Sequence, residues 1–221
     1  MRLCVVFSKG PEVRFVSHLD VQRLFQRAFR RAKLPLAYSQ GFNPHPLISF
    51  ATALSVGYTS RGEYLDITLT EPMTPEEFKD AAQKALPEGI NIVEVFDLGD
   101  SRKSLTSAMR SAEYTVKAVF DSPVTYNELK AALDELLGSE IVVDKKTKGG
   151  IKPTDIRPMV ISADIAETDG CTAYFNVSGV LSAEGGLNPE MFMNELLKKL
   201  SADAALETER TKTVLDRELL K

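Results

Sequence analysis

The sequence predicts an α+β protein made of two tandem ferredoxin-like units, each with the order β-α-β-β-α-β and with helices on one face of an antiparallel sheet. The chain of 221 residues is 43% apolar and 26% charged, which is typical of a globular protein. Strand and helix periodicities alternate along it, and the same order of elements occurs twice. This length leaves room for two domains of about 100 residues each.

The first predicted domain covers residues 1–98. Its strands are expected at 3–7, with a continuation at 13–16, and at 48–53, 63–70 and 90–96. Ser17 has the character of an N-cap for a helix that runs to Lys33 and is ended by Pro35. Thr74, followed by Pro75, predicts the start of a second helix that reaches residue 86.

The second predicted domain covers residues 112–221 and follows a polar connection at 99–111. Its strands are expected at 113–120, 140–144, 156–165, 171–177 and 206–214. Helices are expected at 125–137 and 188–200. In both domains the arrangement leaves the sheet face opposite the helices free for a ligand or for the other domain.

Composition excludes several classes of protein. Cys4 and Cys171 lie in apolar strand patterns, so we expect two buried thiols and neither a metal site nor a cofactor. No apolar run approaches the roughly 20 residues of a membrane helix. The first residues lack the pattern of a signal peptide, and we therefore expect a cytoplasmic protein without a membrane partner.

The net charge of −4 is unevenly distributed. Residues 1–62 contain nine basic and two acidic side chains, a net charge of +7, which leaves −11 for the rest of the chain. Such asymmetry favours a surface that faces a polyanion.

The first helix combines an apolar stripe with a basic side. The residues expected to face the core are Val21, Leu24, Phe25, Ala28, Phe29 and Ala32. The basic side consists of Arg23, Arg27, Arg30 and Arg31. Like charges one helical turn apart repel, and Asp20 is the one acidic residue in the helix. We expect either a phosphate group or acids from elsewhere in the fold to compensate these arginines.

A proline-flanked loop at residues 38–46 follows the helix. A positive φ is accessible to Gly41, and prolines fix the backbone on both sides of His45. The residues that such a rigid loop would present to a substrate or a base are Ser39, Gly41, Phe42, Asn43 and His45. The alternative is an ordinary turn, with Phe42 in the core and His45 bonded to backbone.

A second basic segment occurs near residue 150. Its basic residues are Lys145, Lys146, Lys148, Lys152 and Arg157, interleaved with glycines. This composition suits a cationic loop on a phosphate backbone, and the alternative is an ordinary hairpin tip. His18 and His45 are the chain's two histidines, and as general acid and base they could cleave RNA without a metal.

Several of these segments together resemble a radical-SAM-linked family of bacterial proteins whose members occur alone or fused behind a radical SAM domain with a cobalamin-binding module. The resemblance rests on residues 15–20, 30–32, 34–35, 38–46 and 57–66, with a weaker echo at 148–157.

The resemblance implies a separate radical SAM enzyme as partner, because this chain lacks the CxxxCxxC cluster motif of such enzymes. Its order of elements is also similar to that of the tandem ferredoxin-like CRISPR repeat endoribonucleases, although this similarity transfers no catalytic residue.

Three functional hypotheses follow. The first is a non-catalytic accessory module that binds RNA or presents a substrate, with the basic residues on phosphates and the loop on a base. The second is a metal-independent endoribonuclease that uses His18 and His45. The third is a protein-docking adaptor whose arginines meet an acidic surface.

Overall fold

The structure is a computed structural model that describes residues 1–99, 101, 103–147 and 150–220, with the backbone alone at 146 and 147. The fold is mixed α+β, and the strand pairings for which a register is defined are antiparallel. The chain forms two compact units. Unit 1 comprises Met1–Arg110 with the described residues from Lys212 onward, and unit 2 comprises Ser111–Thr211. The structure thus groups residues 212–220 with the first unit, whereas the sequence placed them in the second domain.

Unit 1 contains four strands in the spatial order β4-β1-β3-β2. Their bounds are Arg2–Lys9 (β1), Ile48–Phe50 (β2), Thr59–Thr68 (β3) and Ile90–Asp97 (β4). β1 pairs with both β3 and β4, and β2 pairs with β3. The five central residues of β1 are all buried and apolar, which indicates that both faces of the sheet are covered along this strand.

The helices of unit 1 are α1 (His18–Arg31), α2 (Pro75–Gln83) and the short α3 (Leu105–Ala108). Ser17 and Thr74 are the N-caps of α1 and α2, as predicted, and Thr74 forms a complete capping box with Glu77. The apolar side of α1 joins the core as expected. Val21, Phe25, Ala28 and Phe29 are buried, while Leu24 and Ala32 are partly buried against the core.

The predicted strand at residues 13–16 is wrong. Residues Pro11–Val13 form a 3-10 helix, and a turn carries the chain from there to the N-cap of α1. Proline at the first position favours such a helical turn over a continued strand, because its ring fixes φ near −65°. β1 therefore ends at Lys9.

The main strands of unit 2 have the spatial order β11-β5-β9-β8, and the two-residue strand β10 also pairs with β9. The bounds are Met109–Phe120 (β5), Val160–Thr168 (β8), Thr172–Ser182 (β9), Gly185–Gly186 (β10) and Ala204–Leu215 (β11). The helices α4 (Tyr126–Leu137) and α5 (Pro189–Leu200) begin after the N-caps Thr125 and Asn188.

The basic segment near residue 150 forms a separate antiparallel hairpin, β6 (Val142–Thr147) and β7 (Gly150–Asp155). Another difference concerns the cysteines. Cys4 is buried as expected, and burial raises the pKa of its thiol. Cys171 is exposed, because it lies in the turn before β9 and not within the strand.

No helix among the described residues is long and apolar enough to cross a membrane.

Candidate nucleic-acid interface

One side of α1 presents arginines to solvent. Arg23, Arg27 and Arg30, which we call the arginine row, are all exposed. They lie within about 60° of arc, because successive helical residues are about 100° apart. Arg31 is also exposed, and its guanidinium donates a hydrogen bond to the carbonyl oxygen of Ala85. Three of the four predicted arginines therefore share one face of the helix.

The arginine row has little compensation from acidic side chains. Asp20 pairs with Arg23 at 2.9 Å between two exposed side chains. The hydrogen bond from Ser17, and then the one from Arg23, lowers the pKa of the Asp20 carboxyl. In the part of the chain that the structure describes, neither Arg27 nor Arg30 has a carboxylate oxygen within 4.0 Å. The predicted acids from elsewhere in the fold are not found at these two positions.

The loop at residues 38–46 projects from unit 1 as a hairpin-like turn. Tyr38 and Pro46 form an isolated bridge at its base, and Gly41 has φ of +124° as the sequence suggested. The phenyl ring of Phe42 is fully exposed at the tip, so the alternative of a core position for Phe42 is wrong. Asn43 is exposed as well.

Ser39 links the two sides of this loop. Its hydroxyl accepts a hydrogen bond from the backbone N–H of His45 at 3.1 Å and lies 2.9 Å from Nδ1 of the same residue. The backbone N–H of Ser39 donates to the His45 carbonyl oxygen at 2.9 Å. These three contacts fix the loop in one geometry, with the histidine ring on the surface.

The two histidines have separate environments. The His18 ring lies 2.9 Å from the side-chain nitrogen of Gln22 and packs edge-on against Phe50. Burial, followed by the charge of Lys9, lowers the pKa of His18. His45, in contrast, contacts Ser39 on the projecting loop. The described contacts do not bring His18 and His45 together as an acid and base pair.

The second set of predicted basic residues belongs to unit 2. Lys145 is half-buried on β6, and Lys152 is exposed on β7. Lys148 and the side chain of Lys146 lie outside the described residues. Arg157 donates to the carbonyl oxygens of Leu137 at 2.6 Å and Val160 at 3.1 Å, contacts that hold the turn before β8.

Unit 2 also contains a groove of about 820 Å³ that the sequence did not predict. Its lining includes the carboxylates of Asp121, Asp144, Glu195 and Asp203, and Lys198 pairs with one of them. A polyanion would meet net negative charge there. This groove is consequently a poor candidate for phosphate binding.

A buried charged cluster lies beneath the start of α1. Lys9 and Glu63 are only 3% and 4% exposed, and Ser60 donates to Glu63 at 2.7 Å. Burial lowers the pKa of Lys9, while the charge of Glu63 opposes that change. The adjoining cavity, which His18 also lines, measures about 10 Å³. A space of roughly one water molecule excludes a substrate, so the cluster has a structural role.

Lys9 is one of the nine basic residues of 1–62, and it is buried. Its Nζ donates to the carbonyl oxygens of Arg14 at 3.0 Å and Val16 at 3.1 Å. Phe15, between these two, is exposed, and the Arg14 guanidinium lies 4.8 Å from the centre of its ring. The sequence signal for this exposed ring is the position of Phe15, two residues before the N-cap Ser17. The strand predicted at 13–16 did not use that signal.

The described residues contain no group of three or more histidine, cysteine, aspartate or glutamate side chains placed to hold a metal ion.

Three solved structures are similar to this chain in fold. The chain is similar to the archaeal box H/ACA sRNP Nop10-Cbf5 complex, with 15% identity, a TM-score of 0.51, and coverage of 96% of this chain and 47% of that one. An H/ACA RNP bound to a substrate RNA containing 2'-deoxyuridine gives 12% identity, a TM-score of 0.54, and coverage of 96% and 47%. A Cbf5-Nop10-Gar1 complex gives 11% identity, a TM-score of 0.53, and coverage of 96% and 48%.

This chain therefore spans about half the length of the matched chains, and at such identities the similarity shows the fold alone. The chain itself belongs to the family described as "Uncharacterized protein conserved in bacteria (DUF2344)", whose model matches residues 2–204. No curated protein matches the chain.

Proposed function

We propose that this protein is a non-catalytic RNA-binding module in which the arginine row of α1 binds successive phosphates. The observation that carries the proposal is the exposure of Arg27 and Arg30 with no carboxylate within 4.0 Å in the described chain. Positions one helical turn apart are separated by about 6 Å, a spacing comparable with that of phosphates along a single strand. A planar guanidinium can bind two phosphate oxygens at once.

The structural similarities support this proposal at the level of the fold. One of the similar solved structures is an H/ACA RNP bound to a substrate RNA, and another is the Nop10-Cbf5 complex of an archaeal box H/ACA sRNP. The strand orders β4-β1-β3-β2 and β11-β5-β9-β8 also follow one scheme. We propose on this basis that each unit is a ferredoxin-like sandwich, the second with the β6–β7 hairpin inserted.

We propose two further contacts with RNA, one by the projecting loop of unit 1 and a separate one by the basic segment of unit 2. The fixed geometry of residues 38–46 leaves Phe42 and Asn43 exposed, and such a loop loses little entropy when it meets a base. In unit 2 we propose phosphate contacts for Lys145 on β6 and Lys152 on β7, and for Arg157. We propose the same for Lys146 and Lys148, although the side chain of Lys146 and the whole of Lys148 lie outside the described residues. The separate environments of His18 and His45 lead us to propose binding and not cleavage.

Filter binding to total cellular RNA at two salt concentrations tests the proposal. The logarithm of the binding constant should fall steeply with the logarithm of the salt concentration, because phosphate contacts release counterions. Changing Arg23, Arg27 and Arg30 to Gln together should reduce this slope by about two, given about 0.7 for each phosphate contact on a single strand.

A matched control removes the same charge from unit 2. Lys130, Lys198 and Lys199 pair with Asp134, Glu195 and Glu135, and changing these lysines to Gln should leave the slope near that of the unchanged protein. Equal loss in both triple variants would mean that net charge, and not the arginine row, determines binding. A flat salt response of the unchanged protein would remove the proposal.

We further propose that the module serves a separate radical SAM enzyme. The resemblance of residues 15–20 and 38–46 supports this partnership. Affinity capture of the full chain from nuclease-treated extract should retain an enzyme with an iron–sulfur cluster. If capture depends entirely on intact RNA, the two proteins meet through RNA; if an unrelated partner persists without RNA, the docking-adaptor hypothesis is favoured.

A further inference from the structure

Phe15 is an exposed aromatic side chain at the amino end of α1. It is 70% exposed. Leu19, four residues further along the chain and in the first turn of α1, is 61% exposed. The sequence assigned no role to either residue. Both precede the arginine row on the chain, and Leu19 lies within about 80° of arc of all its members because residues are about 100° apart on the helix.

The backbone around Phe15 is fixed from both sides. Lys9 donates to the carbonyl oxygens of Arg14 at 3.0 Å and Val16 at 3.1 Å, which flank Phe15. The N–H of Gly57 donates to the same Arg14 oxygen at 2.8 Å. Because Lys9 is buried, this tether lies in the interior while the phenyl ring points outward. A ring held in place in this way loses little conformational entropy when a ligand covers it.

Positive charge also borders the ring. The Arg14 guanidinium lies 4.8 Å from the centre of the Phe15 ring, a cation–π distance. Exposed aromatic rings beside a positively charged track are the common device for holding unpaired bases of a single strand, because every base has a π face.

We propose that Phe15 is a stacking site for an unpaired base of single-stranded RNA whose phosphates continue along the arginine row. This inference rests on the proposed function and adds its ligand class, a single strand in place of a duplex. The Arg14 guanidinium lies over the Phe15 ring, and the base packs on the part of the ring that remains exposed to solvent. The site lies wholly within unit 1.

The absence of tryptophan from the sequence allows a direct measurement. In the full-length Phe15→Trp variant the introduced indole is the chain's single tryptophan fluorophore. An oligouridylate of about 12 nucleotides, within the usual length range of single-strand sites, should quench it on binding. The control is Tyr126→Trp, which puts an indole on an exposed position of α4 in unit 2 and should be quenched little.

Affinity supplies a second readout. Phe15→Leu should bind oligouridylate about tenfold more weakly, the size expected for loss of one stacked base, and Phe15→Tyr should restore binding. The salt slope of Phe15→Leu should equal that of the unchanged protein, because no phosphate contact is lost. An RNA duplex of the same length should bind Phe15→Leu and the unchanged protein equally.

The outcomes separate the two proposals. If the unchanged protein binds oligouridylate with a steep salt slope while Phe15→Leu keeps its affinity and the indole is not quenched, RNA binding stands and the stacking site is refuted. If the unchanged protein binds no RNA, the proposed function and the stacking site both fail. Since Phe15 is exposed, the variants should keep the thermal midpoint of the unchanged protein, which confirms that they fold.

Discussion

At the scale of single residues, burial and not residue type determines what a charged side chain does in unit 1. Lys9 and Arg27 are both cations in the basic first 62 residues, yet one is 3% exposed and the other lies on the surface. The buried lysine satisfies its ammonium group with two backbone carbonyls. Local sequence does not distinguish them, because Lys9 precedes a Gly-Pro turn that suggests exposure.

His18 should make stability depend on pH. Burial, followed by the positive charge of Lys9, lowers its pKa from 6.5 in the folded protein, so the unfolded chain binds the proton more readily. The contribution of this residue is fully present above the unfolded pKa and is lost as pH falls through the lower folded pKa. Urea unfolding should show a free energy of unfolding that decreases from pH 7 to pH 5 more steeply in the unchanged protein than in His18→Gln.

The control for this prediction is Gln22→Met, which alters the ring's hydrogen-bond partner but keeps the titrating imidazole. Its pH dependence should be close to that of the unchanged protein. Parallel curves for His18→Gln and the unchanged protein would show that His18 does not couple protonation to folding.

At the scale of elements, the connection between β1 and α1 is held by a side chain at the end of β1, whose charge is in turn influenced by a residue of β3. The turn that ends at Val16 is closed by one hydrogen bond of its own, from the N–H of Val16 to the carbonyl oxygen of Val13 at 3.0 Å. Lys9 at the end of β1 supplies donors to it, and the charge of Glu63 on β3 favours the charged form of Lys9. A strand end therefore positions the entry to the arginine-bearing helix.

Lys9→Met should destabilise the protein by about 1 to 3 kcal/mol, the usual cost of removing a buried hydrogen-bond partner, because the carbonyl oxygens of Arg14 and Val16 lose their donor. Urea unfolding at neutral pH measures the loss. The double variant Lys9→Met/Glu63→Gln should lose less than the sum of the single changes, because the charge of Glu63 acts on that of Lys9 and the two sites are coupled. Lys84→Met, at an exposed position, should change stability by no more than about 0.5 kcal/mol. A Lys9→Met variant as stable as Lys84→Met would contradict this account.

The elements that sequence could predict are those with local signals. Ser17, Thr74, Thr125 and Asn188 each mark a helix start, because the capping side chain bonds backbone groups two or three residues away. The arginine row follows from helical spacing for the same reason. The strand expected at 13–16 is wrong, because Pro11 starts a 3-10 helix there. The β6–β7 hairpin was expected only in part, because strand formation depends on the pairing partner more than on the segment's own residues.

At the scale of the whole molecule, the last described residues complete unit 1. Asp216 donates its N–H to the carbonyl oxygen of Ala108 at 2.8 Å, and its carboxylate pairs with Arg110 at 3.3 Å. Arg217 pairs with Glu94 at 3.2 Å and lies over the ring of Phe96. These contacts join residues 216 and 217 to the end of α3, the start of β5 and the strand β4. Periodicity could not foresee this return, because it reads each segment without its distant neighbours.

Leu220, in the 3-10 helix Arg217–Leu220, anchors that segment and is 5% exposed. Leu220→Ala should cost about 2 kcal/mol of stability, near the lower limit for a buried leucine. Hydrogen exchange should accelerate at amides of α3 and β4, the elements that contact residues 216–220 in unit 1, while amides of α4 in unit 2 keep their protection. Leu219→Ala, at a half-buried position, should cost less. If a fragment ending at residue 215 instead retained the full stability and protection of unit 1, the contacts of residues 216–220 would contribute nothing to the unit, and residues 1–110 with 212–215 would supply its stability.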